Sequence, residues 1–76
     1  MNNIRLNTVG KIVRGDQVGW YILIEHDEDN TGGYYIYQAP EDNVKSAIEG
    51  FDNWLENYDD IADFFKESDW EIDWIN

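Results

Sequence analysis

The stretch Asp27-Glu28-Asp29-Asn30-Thr31-Gly32 spaces oxygen ligands much as a calcium-binding loop does. Asp27, Asp29 and Thr31 fall at positions 1, 3 and 5 of such a loop, and Gly32 falls at position 6. Position 12, where a bidentate glutamate belongs, is Gln38. The flanking residues read as strands, not as the two helices that this motif requires. A polar hairpin loop is therefore the better reading, with Asn30, Gly32 and Gly33 supplying positive φ. No metal or other cofactor is expected.

The single histidine, His26, stands between Glu25 and Asp27, a setting that suits general-base chemistry. Such a base needs a nucleophile to activate. The chain has no cysteine, and its serines, Ser46 and Ser68, lie outside any nucleophile-elbow pattern. Pairs of carboxylates are plentiful enough for glycoside hydrolysis, but most fall on faces that read as solvated, and a chain of 76 residues has little room for a substrate cleft. His26 is read as a strand-end residue, and no catalytic residue is assigned.

The carboxylates carry more information as rows than as pairs. In the closing segment Trp70, Ile72 and Trp74 alternate with Asp69, Glu71 and Asp73. That period of two predicts a strand with one apolar face and one acidic face. Alternate strand residues are roughly 6.6–6.8 Å apart. Phosphates along one DNA strand are separated by a similar distance, roughly 6–7 Å, although the axial rise is only ~3.4 Å. Just upstream, Asp60, Asp63 and Glu67 recur at helical spacings of three and four and form a second row. Together with Asp59, these acids make a surface suited to a basic partner. Trp54 and Tyr58 are the candidate aromatic anchors at its rim.

Several elements must hold these rows. A strand is expected from about Ile4 to Val13, with Gly10 marking a bulge or bend. Arg14 to Gln17 reads as a turn. Val18 to His26 is apolar on both faces, as a central strand would be. Tyr34 to Gln38 forms a third strand, and the short connections imply an antiparallel meander. Pro40 ends it. Glu41 to Gly50 suits one or two helical turns, capped by Asp42 or Asn43 and stopped by Gly50. Phe51 to Asn57 is expected to be a short strand or extended segment. Asn57 then caps a helix through Glu67, with Tyr58, Ile61, Ala62 and Phe65 on its apolar face and Phe64 at the edge of that face. Asp59 and Asp60 fall in the first turn, where the helix dipole favours negative charge. Ser68-Asp69 ends the helix.

Bulk properties restrict the function class. The formal net charge is −12, of which residues 41–76 carry −10 and residues 1–40 only −2. Such a field disfavours nucleic acid and anionic membrane and attracts basic proteins. The hydrophobic fraction of 42% and twelve aromatic residues (four Trp, five Tyr, three Phe) argue against disorder. They also supply a core to a chain that buries only about 60% of its unfolded surface. The first ten residues show no signal-peptide pattern, no apolar run is long enough to span a bilayer, and cysteine is absent. These features together predict a cytoplasmic protein.

The run Gly50-Phe51-Asp52-Asn53-Trp54-Leu55-Glu56-Asn57, then an acidic helix, then a Trp-rich acidic end, resembles small immunity proteins of bacterial toxin–immunity systems, including the polymorphic-toxin and contact-dependent-inhibition kinds. The likeness covers mainly residues 50–76. It implies a cytoplasmic inhibitor that binds and blocks a toxin domain, often a nuclease. No functional residue follows from the resemblance. The partner-binding set Asp59, Asp60, Asp63, Glu67, Asp69, Glu71, Asp73, Trp54 and Tyr58 rests on charge geometry.

The expectation is thus a single α+β domain over residues 1–76, with an antiparallel sheet of four to five strands and one main helix packed on it. It would act as a monomer or weak dimer and as a stoichiometric inhibitor of a basic protein, not as an enzyme. Two other functions fit the same composition: a DNA mimic that blocks a host DNA-binding protein, and an accessory subunit whose acidity serves solubility.

Overall fold

The computed structural model describes residues 4–75. Residues 1–3 and 76, counted in the expected single domain, lie outside the described residues. Five strands and one helix follow in the order β1 (Gly10–Arg14), β2 (Tyr21–His26), β3 (Tyr34–Ala39), β4 (Phe51–Leu55), α1 (Tyr58–Ser68) and β5 (Glu71–Trp74). The strands form one antiparallel sheet in the order β4-β3-β2-β1-β5. The first four make the expected meander, and β2 is the central strand. The helix carries the chain from one edge of the sheet to the other, where β5 pairs with β1. Among the described residues no helix is long and apolar enough to cross a membrane.

The alternation along each strand decides what is buried. On one face, Ile12, Ile22, Ile24 and Ile36 are fully buried against Ile61, Phe65 and Trp70. Ile4, Leu6, Ile72 and Trp74 pack at the margins of this core. The opposite face carries Tyr21, Leu23, Tyr35, Tyr37 and Trp54, which share that face by register.

α1 is fixed at both ends. At its start the Asp60 carboxylate accepts a 3.1 Å hydrogen bond from the Asn57 N–H, so an acid in the first turn satisfies a backbone donor near the positive end of the helix dipole. At its end Asp69 adopts the left-handed conformation (φ 56°). The Asp69 N–H donates to the Lys66 carbonyl (3.2 Å) and the Trp70 N–H donates to the Phe65 carbonyl (3.0 Å). This is a Schellman stop, built on Asp rather than the usual Gly. The accompanying apolar contact is Trp70 against Phe65, edge to face at 5.3 Å, and against Phe64, also at 5.3 Å. The helix stop therefore delivers Trp70 into the core, where it is only 2% exposed. Ala62, expected on the apolar face, is exposed, and Ser68 is buried in its place.

Three expected elements take a different form. β2 starts at Tyr21 rather than Val18, because Val18 and Gly19 complete the turn from β1. The first strand begins at Gly10, not Ile4; Asn7 is left-handed (φ 58°), and the chain before it turns so that Ile4 and Leu6 reach the core. Gly10 is not a bend. A Cβ there would stand 2.4 Å from Ile72 and 2.7 Å from Trp74, so its bare backbone makes room for the terminal strand's side chains. Residues 41–50 form no helix. Their backbone makes isolated turns, Ser46 N–H to Asn43 C=O (3.0 Å) and Gly50 N–H to Ala47 C=O (3.4 Å). Gly50 serves close approach to β3, since a Cβ would lie 2.9 Å from the Gln38 carbonyl oxygen.

The β1–β2 turn is tied to the helix stop. The Asp16 N–H donates to the Ser68 carbonyl (3.0 Å), and the Trp70 indole N–H donates to the Asp16 carbonyl (2.8 Å). Gly15 sits at φ +103° with its missing Cβ only 2.4–2.5 Å from the Asp69 and Ser68 carbonyl oxygens. Gly15→Ala is therefore expected to destabilise the fold by about 1–3 kcal/mol, combining left-handed strain with overpacking. A chemical-denaturation series checks this, and a variant as stable as the native chain would refute the close contact.

Candidate acidic interface

The acids expected to form one surface occupy three environments. On α1, Ile61, Phe65 and Ser68 face the sheet. The opposite face at 3.6 residues per turn carries the exposed cation Lys66 and three acids, Asp59, Asp63 and Glu67. All three are exposed, and none forms an ion pair among the described residues. Their i, i+4 spacing gives an axial separation of about 6 Å. Asp60, expected in this stripe, lies to one side, half-buried and engaged with the Asn57 N–H.

The strand row is different. Asp69 and Glu71 both reach Arg14, at 3.2 Å each. A register shift between Ile12 and Arg14 sets Arg14 opposite Glu71, and such a bulge re-aims a side chain. Asp73 stands opposite Lys11 in register. The row that reads in the sequence as uninterrupted carboxylate is thus interleaved with cations from β1. Because Ile72 and Trp74 pack toward the core, Glu71 and Asp73 project from the sheet face opposite α1. The helix stripe and the two β5 strand acids therefore look out on opposite sides of the sheet.

The aromatic anchors separate in the same way. Tyr58 opens α1, is 45% exposed, and packs edge to face on Tyr34 at 5.9 Å. Trp54 is 46% exposed on the other sheet face, where its indole N–H donates to Thr31 Oγ1 (2.9 Å). Its ring lies over Gly33, where a Cβ would clash at 2.5 Å. Tyr58 thus stands at the start of α1 on its sheet-facing flank, a quarter turn or more from the outward stripe, and Trp54 belongs with the tyrosine face. On that face Lys45 meets Glu25 at 3.1 Å and lies 5.6 Å from the centre of the Tyr37 ring. The hydrogen bond to Glu25, together with its charge, raises the Lys45 pKa. Burial and then the charge of Glu25 raise that of Tyr37.

No family model, curated protein or solved structure matches this chain. What the surface can do must therefore be read from its own geometry. An array of exposed, unpaired carboxylates on a rigid helix presents a directed negative field, and a half-exposed ring at the start of the same helix offers an apolar contact.

The loop from Asp27 to Gly33 closes as a hairpin. Asp27 N–H donates to the Gly33 carbonyl and Gly32 N–H to the Asp27 carbonyl, each at 2.8 Å. The Asp27 carboxylate accepts from Asn30 Nδ2 (3.2 Å), Thr31 N–H (3.3 Å) and Thr31 Oγ1 (3.1 Å). It is committed to holding the loop, and Gln38 lies within β3, buried on the helix side. Among the described residues no three His, Cys, Asp or Glu side chains converge as metal ligands would. Millimolar calcium is expected to leave the melting temperature unchanged, since a ligand held only by the folded state must raise it. A saturable rise that disappeared in Asp27→Ala would show the opposite. His26 belongs to the same loop. Its ring stacks on Tyr34 (4.3 Å), with Nε2 3.3 Å from the Gly32 carbonyl and Nδ1 3.3 Å from Glu28.

Two residues important to these surfaces escaped the sequence reading. Arg14 reads as a turn residue, and nothing in its neighbours signals that β5 will lie beside it. Gln38 was legible: with period two it shares a face with Ile36 and Tyr34, a polar residue in a core position.

Proposed function

We propose that this chain is a protein–protein inhibitor that engages a basic partner through the outer face of α1, and that its biological role is that of an immunity protein neutralising a bacterial toxin, with a nuclease domain the favoured target class. The observation that carries the reading is the outer face of α1, where Asp59, Asp63 and Glu67 are exposed and outside any ion pair among the described residues, three acids to the one cation Lys66, in a chain of net charge −12. Nuclease domains present basic clefts to phosphate, and a row of carboxylates about 6 Å apart suits such a cleft. Tyr58 supplies a contact that loses water on binding. The β5 strand acids, countered by Arg14 and Lys11, contribute less. The cytoplasmic location expected from the composition belongs to this proposal.

The test is to recover the partner from the native host with immobilised protein, purify it, and measure inhibition and association together. A basic toxin inhibited at one-to-one stoichiometry, with association slowing steeply as salt rises, supports the proposal. A captured DNA-binding regulator would assign the same stripe to DNA mimicry. A partner that is neutral or acidic, or binding that is indifferent to salt, would leave the charge a solubility device.

A further inference from the structure

The sheet ends on two edge strands, β4 and β5, and they differ in what they carry. An edge strand offers a row of backbone N–H and C=O groups to any strand that lies alongside, and charged side chains are a usual guard. β5 is guarded. A two-fold pairing with a second copy centred on Glu71, Ile72 or Asp73 sets carboxylate directly opposite carboxylate, which is destabilising. β4 is not guarded in this way. It pairs with β3 on one side, and on the other its backbone meets no backbone group among the described residues. Its Phe51 and Trp54 side chains, each 46% exposed, flank that edge on opposite faces of the sheet.

We propose that β4 pairs antiparallel with β4 of a second copy of this chain about a two-fold axis at Asn53, joining the two five-stranded sheets into one. The register centred on Asn53 is the one that pairs all five residues of the strand. It sets Phe51 opposite Leu55 of the second copy on the helix side, and Asp52 opposite Trp54 of the second copy on the other face, with no acid directly opposite an acid. Cross-strand pairs of this kind stabilise a sheet. The two Asn53 amides face each other, and each has a donor and an acceptor for the other. A closed two-fold contact uses up both β4 edges, so assembly stops at two copies. The five-residue strand gives about 17 Å of edge, so the contact is smaller than a permanent interface and the dimer is weak. The net charge of −12 on each copy opposes it. So do the two Asp52 side chains, diagonal across the axis at about 7–8 Å. None of the outer-stripe residues of α1 takes part, so the inference stands apart from the proposed inhibitor function.

Sedimentation of the full-length protein at rising concentration is expected to show monomer giving way to dimer between about 10 µM and 1 mM, as suits a small interface. Added salt should tighten the dimer by screening its charges, and Asp52→Asn should tighten it at low salt. Asn53→Asp, which sets two acids face to face, should weaken it several-fold. The chain has no cysteine, so Asn53→Cys reports the register. Directly opposite Cα atoms in an antiparallel pair are about 4.5–5.5 Å apart, within disulfide reach. Mild oxidation should therefore link two copies through position 53, and Glu41→Cys, at an exposed position outside the strand, should link far more slowly. A chain that stays monomeric at about 1 mM in high salt would overturn the proposal, and the edge would then serve a strand of another protein or none. So would a dimer unmoved by Asn53→Asp, or equal cross-linking at positions 53 and 41. If Asn53→Asp fails to fold, the cross-linking still decides.

Discussion

Removing residues 70–76 is expected to abolish the cooperative thermal melt. The segment contributes Trp70, whose ring packs on both Phe64 and Phe65, and whose indole N–H holds the β1–β2 turn at 2.8 Å. It also contributes β5, the partner of β1 on the far side from β2. Loss of β5 would expose Gly10 and Ile12 along a new sheet edge. Truncating one core Trp to Ala costs about 3–5 kcal/mol, and a small domain has about 5–15 kcal/mol in all. Trp70→Ala alone should therefore take a large share of the stability, and Trp70→Phe, which keeps an aromatic ring but loses the hydrogen bond to Asp16, should fall between. Circular dichroism on heating checks all three. A truncated chain that still melts cooperatively would refute the role assigned to the terminal strand.

Reversing the charges at Asp59, Asp63 and Glu67 to Lys is expected to slow association with the basic partner by about tenfold or more at low salt and to flatten its salt dependence. The three side chains point away from the core; a cation in place of Asp59 loses a favourable interaction with the helix dipole of about 0.3–1 kcal/mol, while reduced self-repulsion acts in the opposite direction, so the net stability should change little. The structure also dictates the control. Glu25 pairs with Lys45 and Asp27 builds its loop, so reversals there would disturb the fold. Glu41 and Glu49, both exposed in the segment between β3 and β4, change net charge without touching α1. Stopped-flow kinetics with both sets separates the outcomes. Equal slowing would mean that the protein acts as a diffuse anion. No slowing in either set would direct attention to the tyrosine face around Trp54.

These two experiments probe different levels of the molecule, and the sequence foretold them unequally. The burial of Trp70 follows from alternation in the closing segment and from the helix stop before it. The composition of the interface does not. Asp60, Asp63 and Glu67 share a helical period, yet Asp60 turns back to the backbone and Asp59 takes its place in the outward stripe. First-turn acids have two competing uses, and the sequence alone does not separate a backbone cap from a surface charge.

What the sequence determined by itself is the local structure and its sidedness. Period two in β2, β3 and the terminal segment, period 3.6 after Asn57, and the positive φ of Gly32 in the Asp27–Gly33 loop act over a few residues and agree with the sheet that forms, whereas Asn30 and Gly33, expected to share that conformation, do not adopt it. Tertiary structure alone decided which separated residues meet. Gly10 reads as a bend until Trp74 and Ile72 fill the space over it. Residues 41–50 carry helix-start and helix-stop signals, but Val44 is buried and Gly50 must approach β3, and those contacts outweigh a weak intrinsic preference. Arg14 and Asp69 lie 55 residues apart, so only the pairing of β5 with β1 could draw Asp69 and Glu71 out of an apparent acidic surface into ion pairs. Charge sign and spacing are local properties of a chain, whereas neutralisation depends on which strand lies alongside.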